Sequence, residues 1–147
     1  MSGPHSHEAL AALILRSMPE ALIFSDTEGI IHVWNGGAEK VFGFSAAEAL
    51  GQSLDLIIPE RMRKAHWDGY HQALARGGVK PGRTSMITRS LHKSGEFIYV
   101  DMSFEMVRDD AGQMLGSMAV ARDATARFHE EKNLRKQVAE LTAKPQA

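Results

Sequence analysis

The apolar residues near the start of the chain are spaced as on one face of an α-helix. They recur every three or four residues, at Leu10, Leu13, Ile14 and Met18. This spacing predicts an amphipathic helix that begins near Glu8 and ends before Pro19. Two short and mostly apolar runs, 21–26 and 30–35, then flank a polar turn that contains Gly29. Such a pattern predicts a β-hairpin.

The middle of the chain predicts several short helices. Asn35 is suited to cap a helix over residues 36–41, because an asparagine side chain accepts a hydrogen bond from the first turn. Ser45 and Glu48 have the spacing of a capping box, which predicts a second short helix. A longer helix is predicted over residues 60–76, since a proline precedes it and a pair of glycines follows it.

Polar and apolar residues alternate in the last third of the chain, which is typical of strands with one buried face. The apolar positions of the longest strand are Ile98, Val100, Met102, Phe104 and Met106. Two further strands are predicted at 84–93 and 114–122. Together with the hairpin they predict an α+β fold, a five-stranded antiparallel sheet with the helices on one face. A cavity is expected between this sheet and the middle helices.

The chain divides into three predicted parts: a tail and cap helix at 1–17, a central domain at 18–125, and a charged helix at 126–147. The last helix has few large apolar residues, namely Phe128, Leu134, Val138 and Leu141. This stripe is too thin for a core but suits a short coiled-coil seam. We therefore predict a parallel homodimer through the terminal helices. The alternative is a monomer in which both helices fold back on their own sheet.

Composition restricts the possible functions. The 147 residues are 44% hydrophobic and carry a formal net charge of −1, which favours a globular domain and argues against a nucleic-acid partner. No apolar run approaches the roughly 20 residues of a membrane span, so we expect a cytoplasmic protein. The absence of cysteine excludes thiol catalysis and flavin–cysteine light sensing. No nucleophile elbow or phosphate-binding glycine loop occurs, which predicts that the chain is not an enzyme.

Seven short motifs appear in an order and spacing that resemble the PAS domain family over about residues 18–126. They are Asp26–Ile31, Trp34–Asn35, Ala38–Phe44, Glu48–Gly51, Ile57–Pro59, Lys93–Gly95 and Arg122–Thr125. The resemblance implies the PAS fold and a role in sensing and signal relay, by ligand binding, dimerisation or both. It also implies an effector protein as a possible partner.

The segment from Pro59 to His66 resembles the haem-binding branch of the family, the sensors of the FixL and Dos type. These sensors place their axial histidine seven residues after the proline, and His66 has that spacing. The resemblance therefore implies haem b with His66 as the iron ligand, in a sensor of a diatomic gas or of redox state. A neutral imidazole is a good axial ligand for iron.

The same resemblance implies further positions around the cofactor. Met86 matches the distal arginine of the FixL-like sensors, and Thr84 matches the sixth-ligand methionine of the Dos-like sensors. Both are departures, which puts oxygen stabilisation by an arginine in doubt and leaves Met86 as a pocket wall or a thioether ligand. Met102 and Phe104 match apolar pocket-lining positions.

A second interpretation remains open for the site and for the function. A helix histidine such as His66 often bonds nearby backbone or lies half exposed, without any metal. His71, about 140° further around the same helix, is expected to face solvent. The alternative function is a PAS module that binds no cofactor, or a small apolar ligand, and acts by dimerisation and protein–protein interaction.

Overall fold

The computed structural model describes residues 5–78 and 86–143 of the chain. Five helices, labelled α1 to α5, and five strands, labelled β1 to β5, follow one another with two short 3₁₀ helices between α3 and α4. In chain order the elements are α1 His7–Ser17, β1 Ala21–Asp26, β2 Ile31–Trp34, α2 Gly36–Phe42, α3 Ala46–Ala49, 3₁₀ helices Leu54–Ile57 and Glu60–Met62, α4 Arg63–Arg76, β3 Met86–Leu91, β4 Phe97–Arg108, β5 Met114–Asp123 and α5 Thr125–Ala143.

The five strands form one antiparallel sheet in the order β2-β1-β5-β4-β3. This confirms the α+β architecture and the five-stranded sheet. One row of register partners crosses four of the strands: Met86, Met102, Ala121 and Ala21. Directly opposed residues share a face of the sheet. Because three members of this row are buried, the row identifies the inner face, which the helices cover.

The core lies between this inner face and the helices that follow β2. Its largest fully buried side chains are Phe42, Ile23, Ile31 and Val100. Trp34 packs against Phe42 with ring centroids 5.5 Å apart. The capping box is also confirmed: Ser45 accepts a hydrogen bond from the Glu48 N–H, and the Glu48 carboxylate accepts one from the Ser45 N–H. Local polar pairing therefore begins a helix whose Ala49 is buried in the core.

Asn35 joins α1, β1, α2 and the connection between α1 and β1, at the end of the sheet where α1 enters. Its side-chain Oδ1 accepts hydrogen bonds from the backbone N–H of Leu22 at 2.8 Å and of Ala38 at 2.9 Å. Its Nδ2 donates to the carbonyls of Leu15 at 2.8 Å and Glu20 at 3.1 Å. The amide is buried, and these four bonds satisfy it completely. They fix the C-terminal end of α1, although no residue of α1 is itself buried.

Three local differences separate the structure from the sequence-based elements. The helix predicted over 60–76 begins instead as a 3₁₀ turn, in which the Met62 N–H donates to the Pro59 carbonyl, and becomes α-helical at Arg63. A 3₁₀ helix over Leu54–Ile57 was not anticipated, because four residues are too few to show a period. Within the described residues β3 begins at Met86, and Thr84 lies outside them. No helix within 5–78 and 86–143 has the length and apolarity to cross a membrane.

Candidate functional site

His66 lies on α4, the helix that covers one part of the inner face of the sheet. Of the fourteen residues of α4, only Tyr70 and Ala73 are buried. The His66 ring contacts Trp67 edge-on, with centroids 4.7 Å apart, and contacts Tyr70 at 5.8 Å. The imidazole is therefore half-buried in an aromatic cluster on the core side of the helix. His71 is exposed, as its position around the helix predicted.

The His66 side chain has an unusual polar atom. Its Nδ1 is buried, and no group in the described part of the chain hydrogen-bonds to it. Burial lowers the pKa of His66, the nearby Asp55 carboxylate opposes this shift, and His71 adds to it. The lowered pKa favours the neutral imidazole, which is the form that binds a metal. Buried polar atoms without a partner are rare in native structures, so this one calls for an explanation.

Trp67 and Tyr70 attach α4 to the hairpin between β1 and β2. The Trp67 indole N–H donates to Asp55 Oδ1 at 2.8 Å, and its ring covers Gly29 so closely that a Cβ there would lie 2.1 Å from it. The Tyr70 hydroxyl donates to the Asp26 carbonyl at 2.5 Å and lies 3.0 Å from Ser25 Oγ. Burial raises the pKa of Tyr70, so the hydroxyl keeps its proton at neutral pH.

The inner face of the sheet supplies the apolar residues expected opposite His66. Met102 is buried at 6% exposure, and Phe104, two residues further along β4, is half-buried against the core. Met86 is the register partner of Met102 on the edge strand β3 and is 38% exposed. These three side chains share one face, whereas His66 comes from the helical layer. The structure thus places the candidate residues in the two layers that enclose the core.

A metal cluster held by protein side chains alone is not present in the part of the chain that the structure describes. No group of three or more His, Asp or Glu side chains there has a metal-binding arrangement. A haem needs no such cluster, because the porphyrin supplies four nitrogen ligands and the protein supplies one or two axial ones. A half-buried histidine with a lowered pKa has the chemistry of such an axial ligand.

The C-terminal helix is attached to the outer side of the sheet only by its first turns. Phe128 stacks on Tyr99 with ring centroids 3.7 Å apart and planes within 10°. Arg127 pairs with Asp101 at 3.2 Å, and the Tyr99 N–H donates to Thr125 Oγ1 at 3.1 Å. Beyond these first turns of α5 the apolar side chains are exposed, at 59% for Leu134, 59% for Val138 and 69% for Leu141. These residues have no apolar partner within the described chain.

Both terminal helices leave the same end of the sheet. The first residue of β1, Ala21, pairs with Ala121 near the end of β5. An ion pair between Glu20 and Arg122 joins the segments that lead into α1 and α5. Leu10 on α1 is 48% exposed, so both helices carry exposed apolar residues and both leave from this end of the sheet.

Sequence reasoning did not identify Tyr70 and Trp67 as parts of the site. Tyr70 follows His66 by four residues, which places the two on one helix face, and this spacing was a usable signal. The contact of Trp67 with Gly29 had no local signal, because the two residues are far apart in the chain.

Comparisons with known proteins agree with this architecture. The family description "PAS fold" matches residues 10–124. The sensor protein FixL of Bradyrhizobium diazoefficiens is 42% identical over 57 residues, which are 39% of this chain and 11% of that protein. The match therefore spans only a small part of the length of FixL.

Solved structures with the same fold have lower sequence identity. The PAS domain of a Colwellia psychrerythraea protein superposes with a TM-score of 0.69 at 21% identity, over 82% of this chain and 99% of that chain. An RNA-binding light-oxygen-voltage receptor superposes with a TM-score of 0.72 at 19% identity, over 97% of this chain and 40% of that chain. At such identities the two structures establish the fold alone.

Proposed function

Because this chain belongs to the PAS family, we propose that it is a sensory domain in which His66 binds haem b and responds to a diatomic gas or to redox state. The partial likeness to FixL supports a sensor of this branch. The effector that receives the signal is a partner protein or another part of a longer chain, in a cytoplasmic setting.

The observation that carries the proposal is the state of the His66 ring. One nitrogen is buried without a partner in the described residues, and burial keeps the ring neutral. A neutral imidazole has one nitrogen that accepts and one that donates, so it is able to coordinate iron without first losing a proton. An axial bond to haem would give this desolvated ring a strong interaction.

The sheet supports the proposal with an apolar wall. Met102 and Phe104 lie on the inner face of β4, and Met86 extends that face to the edge strand. A porphyrin is a large, flat and mostly apolar molecule, and an apolar sheet face together with a helix that carries an imidazole are the kinds of surface that would hold it. Haem would supply the iron that binds gas or exchanges an electron, while these residues exclude water.

Haem binding is tested by comparing His66→Ala with His71→Ala. Both changes remove a histidine from α4, but only His66 is half-buried toward the core, whereas His71 is exposed. The full chain is titrated with haemin and the Soret band near 400 nm is recorded. We expect stoichiometric uptake by the parent and by His71→Ala, and loss of the axial-ligand spectrum in His66→Ala.

Circular dichroism of both variants shows whether the fold is retained. A folded His66→Ala protein with unchanged haem absorbance would remove His66 from the site. A parent chain that takes up no haem would leave the second function below as the better one.

The second candidate function is a PAS module that relays signals by dimerisation, with or without a ligand. It is favoured by the exposed stripe of Leu134, Val138 and Leu141 on α5, a helix that buries no residue. A helix with so little burial gains stability mainly from packing against a partner. We propose that a second copy of this chain covers the stripe, in a parallel homodimer that also involves α1.

Sedimentation of the full chain beside a version that ends at Thr125 tests the dimer. We expect the full chain to be a dimer at micromolar concentration and the shortened chain to be a monomer. Val138→Glu is a milder test, because it places a charge in the seam, and the exposed Ala139→Glu is its matched control. If the full chain is a monomer at this concentration, the dimer relay is wrong.

A further inference from the structure

We propose that Tyr70 is a positioning residue that couples His66 to the β1–β2 hairpin, so that a displacement of α4 at His66 changes the hairpin at the edge of the sheet. The inference rests on the proposed role of His66 as the ligand-binding residue. It gives the signal a route that starts at His66 on α4 and ends at the hairpin of β1 and β2.

The first step of the argument is the position of Tyr70 on α4. It lies four residues after His66, one helical turn further along the same face, and the two rings are 5.8 Å apart. Tyr70 is 9% exposed, which makes it one of only two buried residues on α4. A helix with so few buried residues depends on them for its placement. Movement of the His66 backbone therefore moves Tyr70 with it.

The second step is the atom that Tyr70 holds. Its hydroxyl donates to the carbonyl of Asp26 at 2.5 Å, and the same carbonyl accepts the N–H of Gly29 at 2.9 Å. The bond from Gly29 closes the turn between β1 and β2. A carbonyl has two lone pairs, so both donors are accommodated at once. Tyr70 is thereby bonded directly to the turn.

The third step is that the turn of the hairpin has its own network of hydrogen bonds around Asp26. Asp26 Oδ1 accepts the N–H of Glu28 at 2.9 Å and of Ile30 at 3.1 Å, and its Oδ2 lies 2.7 Å from His32 Nε2. Burial opposes a low pKa for Asp26, but these hydrogen bonds outweigh it and lower the pKa. These hydrogen bonds stabilise the conformation of the turn that Tyr70 contacts.

A second contact from α4 reaches the same turn. The Trp67 ring lies on Gly29, where the positive φ of 80° already requires glycine and where the ring leaves no room for a Cβ. Trp67 directly follows His66, so both neighbours of the imidazole ring, Trp67 and Tyr70, rest on the hairpin. Two contacts fix the tilt of α4 as well as its distance from the turn.

The opposite end of α4 offers a competing route. Arg108, at the end of β4, donates to the Gly77 carbonyl at 3.1 Å and to the Gly112 carbonyl at 3.2 Å. These bonds are exposed and lie three turns away from His66. The bond from Tyr70 is closer to the imidazole and is part-buried, so we expect it to couple more strongly to His66 than these exposed bonds do.

The experiment compares Tyr70→Phe with Tyr99→Phe in the full chain. These are the two tyrosines of the protein, and each change removes one hydroxyl while keeping the ring. Amide NMR shifts are recorded before and after haemin is added, at Gly29 and Ile30 for the hairpin and at Gly112 for the β4–β5 turn. We expect the parent and Tyr99→Phe to show a haem-dependent shift at Gly29, and Tyr70→Phe to lose at least half of it.

A Tyr70→Phe protein that keeps the full haem-dependent shift at Gly29 would overturn the coupling. A response found at Gly112 in place of Gly29 would assign the signal to Arg108 and would also overturn it. If Tyr70→Phe fails to fold, Ser25→Ala removes the neighbouring hydroxyl while leaving Tyr70 in place, and at least a partial loss of the Gly29 shift is expected.

A haem-free measurement separates failure of the coupling from failure of haem binding. In the apoprotein we expect Tyr70→Phe to accelerate hydrogen exchange of the Gly29 amide and to move the ring resonances of His66, with Tyr99→Phe leaving both unchanged. This result would support the coupling even if no haem were taken up. Unchanged exchange and ring resonances in Tyr70→Phe would reject it whatever the parent protein binds.

Discussion

The helices α4 and α5 are both rich in polar residues, but they are held in opposite ways. Tyr70 reaches from the middle of α4 to the part-buried carbonyl of Asp26 at the end of β1, and Trp67 packs on the turn that follows. In contrast, α5 is attached at its first turns, through the stacked rings of Phe128 and Tyr99 and through an ion pair on the surface. No residue of α5 is buried.

This difference shows which of the two helices finds its packing partners within one chain. Because α4 buries Tyr70 and Ala73 and Tyr70 bonds to the β1–β2 hairpin, α4 is part of the wall that presents His66. The helix α5 leaves its apolar stripe in water, and burial of that stripe requires another molecule. The inward-facing helix is thus suited to receive a signal and the outward-facing helix to pass it on.

The largest expected effect is on stability, and it compares Tyr70→Ala with Phe128→Ala. The first change removes a buried ring and its hydrogen bonds, so we expect a loss of about 3–5 kcal/mol in the free energy of unfolding. The second removes a surface stack that is worth about 0.5–1.5 kcal/mol. Urea unfolding at matched protein concentration measures both. Equal losses would show that the two helices are held equally.

A smaller effect is expected on the binding of oxygen and carbon monoxide, and it is tested at Met86 on β3. By the family resemblance, Met86 matches the position where an arginine would donate to bound oxygen. If the chain binds haem as proposed, we therefore expect weak oxygen binding and relatively better carbon monoxide binding. Met86→Arg adds a charged donor, and one such bond corresponds to about tenfold in oxygen affinity.

The neighbouring change Ile87→Arg, on the opposite face of β3, is the matched control for Met86→Arg. Oxygen and carbon monoxide dissociation constants are measured for both variants, with carbon monoxide expected to change little. An equal gain from Ile87→Arg would indicate a general charge effect and not a contact inside the pocket.

The smallest expected effect concerns exposed ion pairs, such as the one that attaches α5 to the sheet. The clearest is Glu48 with Lys93, whose ammonium and the backbone N–H of Ser45 lower the pKa of Glu48 to about 2 from its ordinary 4.5. A carboxylate with a lowered pKa stabilises the fold above its unfolded pKa. That contribution is lost as the pH falls from about 4.5 to about 2.

Glu48→Gln should therefore lower stability slightly at neutral pH, where the ionised pair is present, and its difference from the parent chain should disappear as the pH falls from about 4.5 to about 2. Salt should weaken the difference, because an exposed pair is screened. An acid titration followed by circular dichroism, at low and high salt, measures it. A difference that persists at high salt would mean that the pair behaves as a buried one.

The sequence by itself determined most of the elements and the inward face of the long strand. Alternation along Ile98–Met106 predicted which residues of β4 face the core, and Val100 and Met102 are buried as expected. The capping box of Ser45 and Glu48 was likewise predicted from the sequence. In each case the signal lies within a few residues, because side chains two apart in a strand or three apart at a helix start meet directly.

The sequence also indicated His66 as a candidate ligand, because its spacing from Pro59 resembles that of the haem-binding sensors. It did not indicate the surroundings of His66. The state of the His66 nitrogen depends on which groups from other elements approach it, and periodicity contains no information about that. Thr84, which the same resemblance singled out, lies outside the described residues, so its role stays a prediction.

Only the tertiary structure decided how the helices are attached. The bond from Tyr70 to Asp26 joins residues 44 positions apart, and the contact of Trp67 with Gly29 spans a similar distance. Such contacts arise when separate layers stack, and the position of each depends on the shapes of all the side chains between them. The packing of the layers placed Tyr70 of α4 inside and left Leu134 of α5 in solvent.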